Sequence, residues 1–282
     1  MSAAEAVADA VAKAAPDVEA ARARLDAALA DAPGGWTIAV SGGVDSMTLA
    51  TLAHRRLGAA PLMVHATSPA VPSDARSRVE AHAAAEGWRL TVIDAGEFAD
   101  ADYRANPVNR CYFCKSRLYG AIDAVIRASA GGAVASGTNM DDLGDYRPGL
   151  AAAEEKRVRH PFVEAAIDKR LVRALAAAEG LAFAALPAQP CLSSRVETGI
   201  AIQPADLAFI DTLEARLRAA LAGPVAVRVR LRRAGIAVET GAAAAQWGPL
   251  EALAAEACAA SGRPFLGVEP YRMGSAFLKA AL

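Results

Sequence analysis

The sequence predicts an α/β protein in which a parallel sheet with helices on both faces is followed by a smaller α+β domain. Short apolar strands alternate with helix-length segments up to residue 186, and this alternation is typical of βαβ units. Beyond that point prolines interrupt the pattern and period-two alternation appears. We therefore divide the chain into an Ala-rich helical segment (1–34), an α/β domain (35–186) and an α+β domain (187–282).

The elements of the first two parts follow in order. Residues 1–34 favour helix because alanine has the highest helix propensity. Short apolar runs predict strands at residues 36–40, 62–65, 90–93 and 133–135, and helix-like segments connect them at residues 47–57, 73–87 and 118–130. Strands joined by such helices are expected to run parallel in one sheet.

The last part has a different pattern. Residues 205–221 predict a helix, and residues 225–232 alternate apolar and polar side chains over most of their length. A turn at Ala234-Gly235 precedes the segment Ile236-Ala-Val-Glu239. We expect an antiparallel pair of strands here, with one face buried and the other in water.

Composition excludes several classes of protein. The 282 residues include 30 basic and 31 acidic side chains, so the formal net charge of -1 gives no basic surface for nucleic acids or anionic membranes. The longest charge-free stretch, residues 57–73, contains three prolines and falls short of the roughly 18 apolar residues of a membrane-spanning helix. Acidic residues near the N-terminus argue against a signal peptide. We expect a soluble, cytoplasmic protein.

The segment Ser41-Gly-Gly-Val-Asp-Ser46 lies between the first predicted strand and the helix after it. Its glycines allow a tight turn close to a ligand, while serine hydroxyls and free helix N–H groups point at an anion. The Walker lysine is missing, so this is no ordinary P-loop kinase or GTPase. The candidate nucleotide-binding residues are Ser41, Gly42, Gly43, Asp45 and Ser46, with Asp45 placed to help hold Mg²⁺. The alternative is a structural turn capped by serine.

Four cysteines are too few for a disulfide scaffold in a chain of this length. Cys111 and Cys114 form a Cys-x-x-Cys pair between basic residues, which favours thiolates. Cys191 lies in a loop rich in turn residues, and Cys258 is expected to be a small buried filler on an Ala-rich helix. Three thiols suit a [4Fe–4S] cluster with one open iron better than structural zinc, which normally takes four ligands. Zinc completed by a histidine, and a Cys111–Cys114 dithiol–disulfide pair, remain alternatives.

These motifs resemble known enzymes at two levels. The loop 41–46 looks like the pyrophosphate loop of the ATP pyrophosphatases, the PP-loop superfamily, whose members adenylate a substrate oxygen and release pyrophosphate. Taken together, six ordered stretches resemble one branch of it, the ATP-dependent sulfur transferases of nickel-pincer cofactor synthesis (the LarE family). The stretches are residues 41–46, Asn109-Arg-Cys-Tyr-Phe-Cys-Lys115, Gly137-Thr-Asn-Met-Asp-Asp142 with Asp145-Tyr-Arg-Pro-Gly149, Pro190-Cys-Leu-Ser-Ser-Arg195, Val227-Arg-Val-Arg230 and Tyr271-Arg-Met-Gly-Ser275.

The resemblance implies an adenine-nucleotide alpha hydrolase-like fold for the α/β domain and a reaction in two stages. ATP, with Mg²⁺, adenylates a carboxylate of pyridinium-3,5-biscarboxylic acid mononucleotide, and a sulfur nucleophile then displaces AMP to leave a thiocarboxylate. In cluster-dependent members three cysteines, matching Cys111, Cys114 and Cys191, hold a [4Fe–4S] cluster whose open iron carries the sulfide. In others a cysteine matching Cys191 gives up its own sulfur and becomes dehydroalanine. We expect the cluster mode, because a replaceable sulfide spares the protein.

The resemblance also implies partners: a small-molecule substrate, a sulfide donor and a homohexameric assembly. Thiolation of tRNA by another PP-loop enzyme is the first alternative, but it requires an RNA-binding surface that the charge balance does not provide. An amide-forming synthetase would leave the three cysteines unexplained. A sensor that binds nucleotide without turnover is the alternative from a different class.

Several polar residues are candidates for ligand binding within this scheme. Asn139, Asp141 and Asp142 follow a predicted strand, at the edge where open parallel sheets bind ligands, and would contact the adenylate or Mg²⁺. The alternative for them is a helix cap.

Three arginines of the last part are further candidates. Arg228 and Arg230 share one face of a predicted strand and would clasp the substrate's phosphate, unless that face is only solvated. Arg195 follows the Cys191 loop and would stabilise the thiolate or the phosphate.

Overall fold

The computed structural model describes residues 3–32, 34–128, 132–144, 147–223 and 225–272, with side chains from residue 17 onward. These residues form two compact units made of interleaved segments. The first comprises Met1–Thr67, Asp74–Ala95 and Lys115–Leu186, and the second comprises Ser68–Ser73, Gly96–Cys114 and Pro187–Leu282. The second unit thus includes both cysteines of the Cys-x-x-Cys pair, which precede the boundary at residue 187. The three-part division of the sequence itself stays a prediction.

The helices and strands, in chain order, begin and end as follows. The helices are α1 (Ala3–Ala30), α2 (Val44–Arg56), α3 (Ser73–Glu86), α4 (Ala101–Arg104), α5 (Arg110–Ala128), α6 (Pro148–Glu155), α7 (Pro161–Glu164), α8 (Lys169–Ala178), α9 (Pro204–Ala219) and α10 (Trp247–Ala260). The strands are β1 (Trp36–Ala39), β2 (Leu62–Thr67), β3 (Arg89–Asp94), β4 (Ala133–Ala135), β5 (Val227–Arg232), β6 (Gly235–Thr240) and β7 (Phe265–Pro270). Within the described ranges, no helix combines the length and apolarity needed to cross a bilayer.

The first unit is built on a four-stranded parallel sheet in the order β3-β2-β1-β4. Its core is formed by apolar side chains of the central strands and of α2, among them Ile38, Met47, Leu52 and Met63, all fully buried. The strand order reverses direction at β1, which lies between β2 and β4. In open parallel sheets, ligands bind beside the carboxyl ends of the strands at such a switch point. The predicted α/β class with a parallel sheet, consistent with a PP-loop fold, is confirmed.

The second unit is built on a small mixed sheet in the order β5-β6-β7, with β5 antiparallel and β7 parallel to β6. Helices α9 and α10 supply apolar side chains such as Ile210, Leu213 and Leu250 to the same core as Val229 and Val238. The small α+β domain is therefore as expected, with β7 as an additional strand.

Two details of the second unit differ from the sequence prediction. The expected wet face of the strand pair is wrong: the first four residues of β5 and all of β6 are buried. Helix α5 begins at Arg110 rather than near residue 118, so the Cys-x-x-Cys pair is helical. Phe113 and Cys114 pack against the core of the second unit, so tertiary contacts extend the helix beyond the segment that periodicity marks.

Candidate functional site

The loop 41–46 connects β1 to α2 at the carboxyl edge of the parallel sheet. Gly42 has a left-handed backbone (φ +81°), and a Cβ atom there would lie 2.6 Å from the carbonyl oxygen of Ala75. Gly43 is the N-cap of α2 and contributes no side-chain cap, so the first amides of the helix are left for another acceptor. Glycine at these two positions produces a tight turn that presents a helix N-terminus, which is where an anion binds well.

The side chains of Ser41 and Ser46 form hydrogen bonds within this loop. The hydroxyl of Ser46 accepts a hydrogen bond from the Ser41 amide at 3.0 Å and lies 3.0 Å from the Ser41 hydroxyl. The Gly43 amide donates to the Ser41 hydroxyl at 3.4 Å. These contacts fix the shape of the loop. Binding of phosphate by either hydroxyl stays a prediction.

The backbone that follows β4 packs closely against the first turn of α2. A Cβ atom on Gly137 would lie 2.6 Å from the Ser46 amide nitrogen and 2.7 Å from the carbonyl carbon of Asp45. Only glycine allows this approach of two backbones. The glycine of the Ser136-Gly137 pair therefore serves to bring the neighbouring strand directly against the first turn of α2.

A lysine that sequence reasoning missed lies beside the loop. The Nζ atom of Lys169 is 2.5 Å from both carboxylate oxygens of Asp45, and the two side chains are 32% and 28% exposed. Lys169 is the first residue of α8, whose N-cap Asp168 accepts a hydrogen bond from the Leu171 amide. The amphipathic run after Asp168 was the available signal for this helix start. The protein thus provides a positive charge at the loop although the Walker lysine is absent.

Asn139 and Asp142 form a capping box around the short 3₁₀ turn Met140–Leu143. The Asn139 amide donates to Asp142 Oδ2, and the Asp141 amide donates to Asn139 Oδ1, each at 3.0 Å. Asp141 also accepts a hydrogen bond from the Lys169 amide at 2.9 Å, and Asp142 pairs with Arg147 at 2.8 Å. These are the contacts expected if the three residues cap a helical turn. Their binding of the adenylate or Mg²⁺ stays a prediction. Asp145 and Tyr146 lie outside the described residues.

The three candidate ligand cysteines belong to the second unit. Cys111 and Cys114 lie three positions apart at the start of α5, on one face of the helix, and both are half-buried. Cys191 is exposed and precedes the 3₁₀ turn Leu192–Arg195. Cys258 is buried in the core, where burial raises the pKa of its thiol, as expected of a filler. None of the four cysteines forms a disulfide.

Tyr103 connects this set in the interior of the second unit. Its hydroxyl lies 2.7 Å from the hydroxyl of Ser193, two residues after Cys191. Burial raises the pKa of the Tyr103 phenol well above its usual range. Cys114 packs against the apolar core that contains Tyr103, and Cys191 precedes Ser193 by two positions.

Among the described side chains, no three His, Cys, Asp or Glu residues converge as the ligands of a single metal ion would. In a [4Fe–4S] cluster each cysteine binds a different iron, so its ligands do not converge on one point. Three free thiols in one compact unit are the donors that a cluster requires. The donor set fits the cluster in its chemistry, and ligation by Cys111, Cys114 and Cys191 stays a prediction.

Arg195 and Glu214 form an ion pair in the interior of the second unit, and each side chain is 1% exposed. The guanidinium donates to both carboxylate oxygens at 2.9 and 3.0 Å, and it also donates to the carbonyl oxygens of Pro190 and Cys191. Arg195 therefore holds the backbone of the Cys191 loop. Its contact with a thiolate or phosphate stays a prediction.

Arg228 and Arg230 are 4% and 7% exposed rather than solvated. Arg228 donates to the carbonyl oxygens of Val227 and Ala188 and lies over the ring of Tyr271, and burial lowers its pKa. Arg230 donates to the Ser194 carbonyl oxygen and to Glu239 at 2.9 and 2.8 Å. Their role as a phosphate clasp stays a prediction.

A cavity of about 410 Å³ opens beside Arg230 in the second unit. Its charged lining comprises Arg195, Arg230, Arg232, Arg272, Glu197, Glu239 and Glu269. The C-terminal motif thus contributes Tyr271, which stacks on Arg228, and Arg272, which lines the cavity. Residues 273–275 of this motif lie outside the described part of the chain.

Comparison with known proteins places the chain in a family. No family model matches it. An uncharacterized protein of Synechocystis is 40% identical over 181 residues, which cover 64% of this chain and 68% of the relative. The pyridinium-3,5-bisthiocarboxylic acid mononucleotide synthase of Lactiplantibacillus plantarum is 30% identical over 195 residues, which cover 69% of this chain and 70% of that enzyme. The chain belongs to the LarE family.

A further relative has no assigned activity in its name. An uncharacterized protein of Methanocaldococcus jannaschii is 30% identical over 202 residues, which cover 72% of this chain and 77% of the relative. The predicted resemblance to the LarE family is confirmed at this level, while the cluster-dependent type within the family stays a prediction.

Proposed function

We propose that this LarE-family protein is an ATP-dependent sulfur transferase that converts a carboxylate of pyridinium-3,5-biscarboxylic acid mononucleotide into a thiocarboxylate. The observation that carries the proposal is the combination, in one chain, of the loop 41–46 with its lysine-paired Asp45 and a second unit holding three thiols. The relative from Lactiplantibacillus plantarum, named as a synthase of the bisthiocarboxylic product, supports the choice of substrate.

In the first stage, a substrate carboxylate oxygen attacks the α-phosphorus of ATP and pyrophosphate leaves. The open N-terminus of α2 would face the departing negative charge, and the Ser41–Ser46 contacts hold the loop in its shape without ATP. The Asp45 carboxylate would hold Mg²⁺, which offsets phosphate charge when bound. Lys169, relieved of Asp45, would then donate to the phosphates.

In the second stage, a sulfur nucleophile attacks the acyl carbon, the bond to AMP breaks, and a thiocarboxylate and AMP result. Cys111, Cys114 and Cys191 would hold a [4Fe–4S] cluster, which supplies an open iron site for the transferable sulfide when bound. The chain's own part would be to supply these thiols from two segments that the Tyr103–Ser193 hydrogen bond connects. A sulfide donor must restore the sulfur after each turnover, because one atom leaves with each product.

A second mode of sulfur supply is favoured by one observation, the exposure of Cys191. The Cys191 sulfur would attack the acyl carbon of the adenylate and displace AMP, which gives a thioester. Loss of the Cys191 Cα proton to a base would then break the Cβ–S bond, releasing the thiocarboxylate and leaving dehydroalanine. Thiolation of tRNA is less well supported, since the net charge is -1. We also propose a homohexameric assembly, on the strength of family membership, and a cytoplasmic location, on the strength of the composition and the small number of cysteines.

The test is anaerobic purification with iron and labile-sulfide analysis, combined with pyrophosphate release in the presence of ATP, Mg²⁺ and the pyridinium dicarboxylate mononucleotide. We expect iron in the wild type and in Cys258→Ala, and its loss in Cys191→Ser. A colourless protein that binds no iron after anaerobic reconstitution would refute the cluster mode and leave sacrifice of Cys191, which mass spectrometry detects as the loss of one sulfur. Pyrophosphate release that requires tRNA would refute the proposed substrate.

A further inference from the structure

Asn106 is a fully buried side chain in the second unit, and its backbone is left-handed (φ +56°). A non-glycine residue in this region is uncommon, although asparagine tolerates it better than most. Such a conformation persists only when surrounding contacts hold it, and it is often found where a structure positions functional groups. The contacts that hold Asn106 in this conformation are hydrogen bonds to the turn from 196 to 200 and to Arg110.

The side-chain amide of Asn106 joins two segments that are about ninety residues apart in sequence. Its Nδ2 atom donates to the carbonyl oxygens of Glu197 and Ile200 at 2.9 and 3.0 Å, and to that of Val196 at 3.4 Å. In return, the backbone carbonyl oxygen of Asn106 accepts a hydrogen bond from the Gly199 amide at 2.9 Å. One residue therefore fixes the whole turn from 196 to 200.

Both joined segments carry candidate ligand cysteines. Asn106 Oδ1 accepts a hydrogen bond from the guanidinium of Arg110, the first residue of α5 and the neighbour of Cys111. The turn from 196 to 200 follows directly on the segment that begins at Cys191. The hydrogen bond between Tyr103 and Ser193 is a second, independent connection between the same two segments.

We propose that Asn106 is a positioning residue that holds the Cys-x-x-Cys turn of α5 in place against the Cys191 loop, with the Tyr103–Ser193 bond as its support. The inference deepens the proposed function, because it assumes that the three thiols serve one site. Asn106 itself touches none of the sulfur atoms. It acts through Arg110 on one side and through the turn from 196 to 200 on the other.

Two substitutions separate the side-chain contacts from the backbone conformation. Asn106→Gly keeps the left-handed backbone, which glycine adopts without strain, and removes every side-chain contact. Asn106→Asp keeps the size and the acceptor for Arg110 but replaces the donor with an oxygen facing three carbonyl oxygens. The matched control is Arg157→Gly, which makes the same change at an exposed left-handed residue of the first unit.

The measurement is cross-linking of the full-length, iron-free protein with dibromobimane, which joins two nearby thiols, followed by peptide mass spectrometry. The wild type and Arg157→Gly are expected to give a product that joins Cys191 to Cys111 or Cys114. Its yield is expected to fall about tenfold in Asn106→Gly and in Asn106→Asp, the change that loss of one or two net hydrogen bonds produces. Iron bound after anaerobic reconstitution should fall in parallel, while ATP binding to the first unit stays unchanged.

The proposal is overturned if the wild type forms no such product, or if a folded Asn106 variant gives it within twofold of the wild type. Should Asn106→Gly fail to fold, Asn106→Asp supplies the comparison, with folding checked by circular dichroism. Cross-linking requires neither iron, ATP nor substrate. Failure of the proposed transferase activity therefore leaves this measurement intact, and an unchanged cross-link overturns the role of Asn106 even in an active enzyme.

Discussion

Replacing Lys169 by methionine tests whether the lysine beside the loop 41–46 acts in catalysis or only in folding. Methionine keeps an unbranched apolar side chain and removes the ammonium group that lies 2.5 Å from both oxygens of Asp45. With the two side chains 32% and 28% exposed, the ion pair is worth at most about 1 kcal/mol to folding. A loss of that size lowers the Tm by about 2–4 °C.

The catalytic loss is expected to be much larger. A positive donor that faces the leaving pyrophosphate acts where charge develops, and removing one such donor typically lowers kcat by about 10²–10³. Lys169→Met is therefore expected to release pyrophosphate about 10²–10³ times more slowly at saturating ATP, with almost unchanged stability. Lys169→Arg, which keeps the charge, should recover part of the rate.

The matched control is Arg56→Met, in the same unit. Arg56 pairs with Asp26 at 2.5 Å, and these side chains are 33% and 37% exposed, so geometry and exposure closely resemble those of the Lys169–Asp45 pair. The control should lose a similar, small amount of stability and keep full activity. The reasoning is refuted if Lys169→Met releases pyrophosphate within about threefold of the wild type, or if Arg56→Met slows it equally.

Three further predictions follow from the packing. Gly137→Ala places a methyl group against the Ser46 amide, and we expect a loss of about 1–3 kcal/mol in thermal unfolding together with weaker ATP binding by calorimetry. Glu214→Ala leaves the guanidinium of Arg195 buried without its carboxylate. We expect the free energy of unfolding in urea to fall by about 3–5 kcal/mol and the Cys191 thiol in the neighbouring loop to be alkylated faster. Burial lowers the pKa of His65, so the folded state disfavours its protonation. Stability is then full above the ordinary histidine pKa of 6.5 and falls as the pH drops below it, and His65→Asn should flatten this dependence in urea titrations at several pH values.

The sequence predicted the parallel sheet well because its strands are short apolar runs separated by helix-length segments. Strand β4 matches the predicted residues 133–135, α3 ends one residue before its predicted end, and β3 is one residue longer than predicted at each end. Such patterns depend on neighbours within a few positions, which periodicity measures directly. The loop 41–46 could also be predicted from the sequence, since its residue types and its position between a strand and a helix are local features.

The buried arginines show where local pattern fails. Arg228 and Arg230 alternate with valines in β5, and alternation predicts a polar face in water. That face is buried instead because carboxylates and carbonyl oxygens from distant positions meet it: Glu239 accepts from Arg230, and the Ala188 carbonyl accepts from Arg228. The pairing of Lys169 with Asp45 spans 124 positions and has the same origin. The Arg228–Ala188 and Lys169–Asp45 contacts join residues 40 and 124 positions apart, so no short window of sequence contains both partners. Arg230 and Glu239 are nine positions apart, but they lie on different strands, and periodicity within one strand does not show their pairing.

In each unit, residues outside a sequence motif hold that motif in place. Substitutions of these residues should therefore affect the two stages of the proposed reaction separately. In the first unit Gly137 and Lys169 act on the loop 41–46, and in the second Asn106 acts on the cysteine segments. If the stages depend on these contacts separately, Lys169→Met should form little adenylate yet bind iron normally. Asn106→Gly should release pyrophosphate with the pyridinium dicarboxylate but transfer about tenfold less sulfur. The division would be contradicted if each of these two variants lost both pyrophosphate release and iron binding. The described contacts of Lys169 lie within the first unit and those of Asn106 within the second.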